Sequence, residues 1–181
     1  MSRQKIKLIS VIFFMLSAAF YLVHEKYSLP KQNNEDIFSS VKEVHDGDTI
    51  SAIINQKKEK VRLIGIDAPE IGQNPWGMEA KKYLETLLSS SGWKVKLEFD
   101  IDKRDKYGRI LAYLWTTRGE MVNLLMLKRG YALLSTFPPN VKYVNDLRTA
   151  QREAKDGGFG IWGEKGLKER PGDYRREHPR I

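Results

Sequence analysis

Apolar positions change their spacing along the chain, and the spacing predicts the elements. From residue 38 onward, short segments rich in Val and Ile cover 38–45, 48–54 and 59–66. An Asp-Gly pair and the charged turn Asn55-Gln56-Lys57-Lys58 separate them, which predicts a three-strand meander. Residues 76–90 carry a helical spacing. Trp93, Val95, Leu97 and Phe99 then alternate with Lys94, Lys96 and Glu98, the period-two pattern of a half-buried strand. A fifth strand is predicted over 109–116. A helix over 122–129 stops at Gly130, an extended piece over 131–135 precedes Pro138-Pro139, and a last helix over 141–155 ends before Gly157-Gly158. Five short strands with three helices packed on one side predict an α+β fold built on a closed barrel of the oligonucleotide-binding type.

The flanks read differently. Residues 8–23, LISVIFFMLSAAFYLV, form a run without charge behind Arg3, Lys5 and Lys7. That fits either a signal peptide or an N-terminal membrane anchor. Small residues at Ser17-Ala18-Ala19 suit cleavage, but Phe20 to Val23 prolong the apolar run and favour an anchor. The basic residues ahead of it place the remainder outside the cytoplasm. Residues 24–37 turn polar and read as a linker, 38–163 as the folded domain, and 164–181 as a solvated basic tail.

Composition adds limits. A content of 41% hydrophobic residues excludes a disordered chain, and 181 residues suit one domain plus ends. The absence of cysteine removes disulfides, thiolate ligands and thiol nucleophiles, so any chemistry uses oxygen and nitrogen groups. The three histidines, His24, His45 and His178, are too scattered to form a triad. The formal charge is +8, and residues 24–181 hold 28 bases against 23 acids. This excess favours polyanionic partners without identifying one.

Candidate chemistry comes from hairpin register. If 48–54 and 59–66 pair about a four-residue turn, Ile54 faces Val61 and Ala52 faces Leu63, which puts Asp48 opposite Asp67. Opposed Cβ atoms lie roughly 4.5–5.5 Å apart, so the two carboxylates repel and call for a positive group between them. A hard cation held by carboxylate and carbonyl oxygens with water meets that need. On this geometry, removing Asp48 would stabilise the cation-free protein. Glu70 stands at the same mouth, where a carboxylate can activate or orient water. Arg62 and Arg109 offer planar forks for a phosphate. Simple alternation turns Arg62 to the face opposite the aspartates, so a bend is required to bring it to the site.

Three blocks in order, Asp46-Gly47-Asp48-Thr49, the run from Arg62 to Glu70 (RLIGIDAPE), and Asp105-Lys106-Tyr107-Gly108-Arg109, resemble the staphylococcal nuclease (thermonuclease) family. Trp76-Gly77-Met78-Glu79-Ala80 and Gly160-Ile161-Trp162-Gly163 extend the resemblance across residues 38–163. It implies a five-stranded barrel with three helices. It implies Ca²⁺ bound by Asp48, Asp67 and the Ala68 carbonyl, where the family has threonine at the last position. Glu70 becomes the general base or water-orienting acid, Arg62 and Arg109 the phosphate-binding arginines, and Lys106 and Tyr107 the nucleotide-pocket residues. The implied reaction is hydrolysis of DNA and RNA at the 5′ P–O bond, leaving 3′-phosphates; separately, a monomer that prefers single-stranded substrates is expected. After Gly130 the sequence departs from the family, with Leu133 to Pro139 replacing a tyrosine-bearing segment and Phe137 offering one stacking face.

Two other classes fit parts of the sequence. A barrel that binds single-stranded nucleic acid without cutting it shares the fold, and an anchored scaffold shares the N-terminal segment. The presence of Asp48, Asp67, Glu70, Arg62 and Arg109 together favours the hydrolase.

Overall fold

The computed structural model describes residues 15–18 and 37–179. Five strands, β1 (Ile37–Val44), β2 (Thr49–Ile54), β3 (Lys57–Leu63), β5 (Lys94–Glu98) and β6 (Ile110–Thr116), close into a barrel in the order β1-β2-β3-β6-β5. All pairings are antiparallel except β3 with β6, which run parallel. A two-stranded ribbon of β4 (Ile66–Asp67) and β7 (Leu133–Leu134) stands beside it. The α+β barrel expected from the hydrophobic spacing is therefore present, with all five strands near their predicted positions.

Alternation fills the barrel. Val61 and Leu63 of β3, Val95 and Leu97 of β5, and Ala112 and Leu114 of β6 are buried, while Lys58 and Lys60 on β3 stay exposed. Helix α1 (Trp76–Ser90) buries Ala80, Leu84 and Leu88, one residue per helical turn on a single face. Helices α2 (Val122–Lys128) and α3 (Val144–Asp156) bury Val122, Met126, Leu147, Ala150 and Ala154. Asn123 is buried completely and serves as a rivet: it accepts the Leu114 N–H (2.9 Å) and donates to the Ile64 carbonyl (2.8 Å). It thereby fixes the point where the chain leaves β3 for the ribbon.

The structure corrects the hairpin register. Thr49 pairs with Arg62 and Ile54 with Lys57, so the turn is the two-residue loop Asn55-Gln56 rather than a four-residue one. Both loop residues have positive φ, 48° and 65°. Two consecutive left-handed residues give the turn twist that matches paired strands, and this outweighs the strain on two non-glycine residues. Asp48 therefore lies beside Leu63, whose N–H donates to the Asp48 carbonyl at 2.9 Å, and not across a ladder from Asp67. Trp93 also differs from expectation. It has φ 57° in the turn after α1, is 40% exposed, and precedes β5 instead of filling its inner face.

Where the sequence reads as a solvated tail, the chain forms α4 (Pro171–Glu177) with Pro171 buried. Proline at the first helical position, Asp173 in the first turn and Arg175 and Arg176 in the last are ordinary helix signals. Among the described residues no helix is long and apolar enough to cross a membrane. The apolar run 8–23 lies outside the described residues apart from 15–18.

Candidate active site

The aspartates converge by a route other than strand pairing. After Leu63 the chain breaks at Ile64-Gly65, where Gly65 has φ 79°, a conformation glycine adopts without strain. The ribbon strand β4 then carries Asp67 back toward the Asp46-Gly47-Asp48 turn. Gly47 permits that approach: a Cβ there would lie 2.6 Å from the Ala68 Cβ and 2.7 Å from the Ala80 Cβ. Ala68 in turn donates its N–H to Asp48 Oδ2 at 2.7 Å, and Thr49 donates its hydroxyl to Asp48 Oδ1 at 2.9 Å.

The positive group required between the aspartates is Arg62. Its Nη1 lies 3.1 Å from Asp48 Oδ2 and its Nη2 3.1 Å from Asp67 Oδ1. All three side chains are at most 15% exposed, so the charges depend on one another. The break at Ile64-Gly65 supplies the bend that alternation demanded of Arg62. Glu70 joins through a second guanidinium. Arg175 of α4 donates from Nη1 to Glu70 Oε1 at 2.7 Å and from Nη2 to both oxygens of Asp67, at 3.1 and 3.0 Å. The result is an alternating row, Asp48, Arg62, Asp67, Arg175, Glu70.

Electrostatics follow from burial and crowding. Burial, reinforced by the charge of Asp48, pushes the Asp46 carboxyl up to about 7, although it accepts the Asp48 N–H at 3.0 Å. Burial also raises Asp67, with Asp48 adding to the rise and Arg175 and Arg62 opposing it. For Arg175, burial works against the charge, but the hydrogen bonds to Asp67 and Glu70 prevail and raise its pKa.

The third sequence block is a separate loop between β5 and β6. Asp105 Oδ1 accepts the N–H groups of Tyr107 and Arg109, and Oδ2 accepts Arg109 Nε at 2.7 Å. Burial pushes Asp105 up, yet the combined hydrogen bonds and charge of Arg109 carry it below its ordinary value. Tyr107 is 73% exposed, with Lys106 Nζ 5.1 Å and Arg109 Cζ 5.6 Å from its ring centre. Arg109 is thus oriented by Asp105, not by the aspartate row. Phe137, 74% exposed, is a further outward aromatic.

Comparison with known proteins gives the same assignment as the three blocks. The family model described as staphylococcal nuclease homologue matches residues 60–164. The chain belongs to the staphylococcal nuclease family. Family relatives include the thermonuclease of Staphylococcus intermedius, 40% identical over 127 residues that cover 67% of this chain and 74% of that protein. Another is the endonuclease YncB of Bacillus subtilis (strain 168), 41% identical over 128 residues. That match covers 67% of this chain and 59% of YncB, so the chain spans less than two thirds of that relative. The thermonuclease of Staphylococcus hyicus is 36% identical over 134 residues, 71% of this chain and 77% of that protein.

Within this nuclease-family domain, Asp48, Arg62, Asp67, Ala68 and Glu70 lie together, whereas Lys106, Tyr107 and Arg109 stand on the separate loop between β5 and β6. Neither Asp46 nor Arg175 was among the expected site residues: Arg175, beyond the matched residues, lies in the segment whose sequence reads as a solvated tail, where Tyr174, Arg175 and Arg176 offered at most substrate-phosphate contacts. Asp46 looked like turn chemistry. Arg175 had only the helix signals of 171–177 to mark it, and those do not say where the helix docks.

Proposed function

We propose that this chain is a cation-dependent endonuclease that hydrolyses phosphodiester bonds of DNA and RNA at the 5′ P–O bond, leaving 3′-phosphates. The observation that carries the reading is the Arg62 fork joining Asp48 and Asp67 beside Glu70. The donor set fits Ca²⁺: two carboxylates and the Ala68 carbonyl would be hard oxygen ligands, and Asp48 and Asp67 already converge on one cationic group, the Arg62 guanidinium. Among the described residues no three His, Asp or Glu side chains form a closed cage. Asp48, Asp67 and the Ala68 carbonyl are the groups that would hold the cation. Bound there, the cation supplies positive charge to the phosphate and to a nearby water.

The chain's own residues do the rest. Glu70 accepts the proton of the attacking water or orients it. The guanidinium of Arg62 is assigned to the phosphate, because a planar fork matches phosphate oxygens that gain charge in the transition state. Arg109, pre-oriented by Asp105, serves the same phosphate from the loop, with Lys106 and Tyr107 flanking the nucleotide. Single-strand preference follows from the exposed Tyr107 and Phe137, which offer faces on which unpaired bases stack. We place the enzyme outside the cytoplasm, secreted or anchored through residues 8–23, on the charge asymmetry of that segment. It acts as a monomer.

The test is cleavage of single- and double-stranded DNA and RNA by the full chain, with Ca²⁺ and with excess chelator, followed by end-group analysis. Cleavage with Ca²⁺, 3′-phosphate ends, and loss in chelator are expected. Glu70→Ala and Arg109→Ala should each lower turnover by roughly 10²-fold or more while the barrel stays folded. Undiminished cleavage in chelator would refute the cation, and tight binding without cleavage would return the barrel to the binding class.

A further inference from the structure

The C-terminal segment after the family match is docked on the loop that carries Glu70, at several independent points. Trp76 Nε1 donates to the Lys165 carbonyl at 3.0 Å, and Gln73 Nε2 to the Glu169 carbonyl at 2.8 Å. Gly72 lies against Tyr174, whose hydroxyl occupies the space a Cβ would need. Gln73 is itself buried, and its Oε1 accepts the Glu70 N–H at 2.9 Å. The backbone of Glu70 is therefore tied to residue 169 through one side chain, Gln73.

Arg175 completes the arrangement at the carboxylate end. It is 42% exposed, whereas the two side chains it holds, Asp67 and Glu70, are each 14% exposed. An exposed arginine on a carboxylate adds little to stability. Its effect here is geometric: one guanidinium spans two carboxylates that would otherwise repel, and sets the distance and orientation of one relative to the other. A lysine at 175 would carry the same charge but present a single point.

We propose that Arg175 is a positioning residue of the nuclease site, holding Glu70 and Asp67 in register, and that residues 164–177 are a working part of the site. This rests on the nuclease reading above. Misplacing a reacting group by about 1 Å costs on the order of 10²-fold in rate, so loss of this contact appears in turnover before it appears in folding.

The experiment compares the wild type with Arg175→Ala, Arg175→Lys and Arg176→Ala in the full chain, on single-stranded DNA with saturating Ca²⁺. Arg176 is a control on the same helix: it is 78% exposed and pairs with Asp173. Arg175→Ala should lower kcat roughly 10–100-fold with KM changed less than about threefold, because the contact positions groups without binding substrate. Arg175→Lys should recover little of the loss, and Arg176→Ala should stay within about twofold of wild type. Without substrate, hydrogen exchange over residues 68–74 should quicken several-fold in both Arg175 variants. Wild-type kcat in Arg175→Ala, full rescue by lysine, or a rise in KM with kcat intact would overturn the proposal. If Arg175→Ala does not fold, Arg175→Lys decides by the same criteria. A wild type that cuts nothing would overturn the nuclease reading instead, and the exchange measurement would then decide whether Arg175 orders the Glu70 loop.

Discussion

Replacing Asp48 with alanine should destabilise the cation-free protein, the reverse of what a bare pair of opposed carboxylates implies. The side chain is 7% exposed and accepts three contacts: the Ala68 N–H, the Thr49 hydroxyl and the Arg62 guanidinium. Truncation leaves the buried Ala68 N–H without its acceptor, at about 1–3 kcal/mol, and removes one of the two carboxylates from Arg62. Against this stands relief of repulsion with Asp46 and Asp67, both of which Asp48 pushes toward protonation. That gain and the lost attraction to Arg62 are of the same order, about 4 kcal/mol for a unit-charge pair at roughly 4 Å and an effective dielectric of about 20, and largely offset each other, which leaves the orphaned Ala68 N–H to decide the sign. The balance is a loss of about 2 kcal/mol. Asp48→Asn separates the two effects, since the amide oxygen still accepts from Ala68 and the repulsion is gone, so its stability should lie within about 1 kcal/mol of wild type. In urea titrations at pH 7 with chelator, Asp48→Ala should lower the midpoint by about 1 M. A midpoint equal to or above wild type would show that repulsion dominates the site and that the Arg62 bridge is worth nothing.

Two further outcomes test other parts of the site. The Asp46 carboxyl has a folded pKa of about 7 against 3.8 unfolded, so its contribution is complete below pH 3.8 and is lost as pH rises through 7. Raising pH from 6 to 8 in chelator should therefore cost wild type about 1 kcal/mol more than it costs Asp46→Asn, measured by urea unfolding. Equal losses would show that the fold does not hold the Asp46 carboxyl protonated. Gly47→Ala forces a Cβ against Ala68 and Ala80, and should cost about 1–3 kcal/mol in thermal unfolding while lowering cation affinity, because Ala68 holds Asp48. An unchanged melting temperature would mean that the packed neighbours yield freely.

Much of this molecule is written locally. The barrel strands and the three main helices follow from spacing, because the periods two and 3.6 are properties of a few consecutive residues. Family membership was legible for the same reason, since the three motif blocks are short and ordered. The sequence alone also marked the residue types of the candidate site, carboxylates at 48, 67 and 70 with an arginine at 62, whereas Arg109 stands on its own loop beside Asp105.

What joins them was decided by tertiary structure. The aspartates were expected together through a register that does not exist, since the two-residue Asn55-Gln56 loop shifts the hairpin and the Gly65 break brings Asp67 back. Arg62 reaches both aspartates because of that same break, whereas strict alternation turned it away. Arg175 meets Glu70 across 105 residues of chain, through contacts at Gln73, Trp76 and Gly72 that no local pattern announces. Local propensity specifies where a helix such as α4 forms. Only packing, summed over partners distant in sequence, specifies which carboxylates its arginine finds.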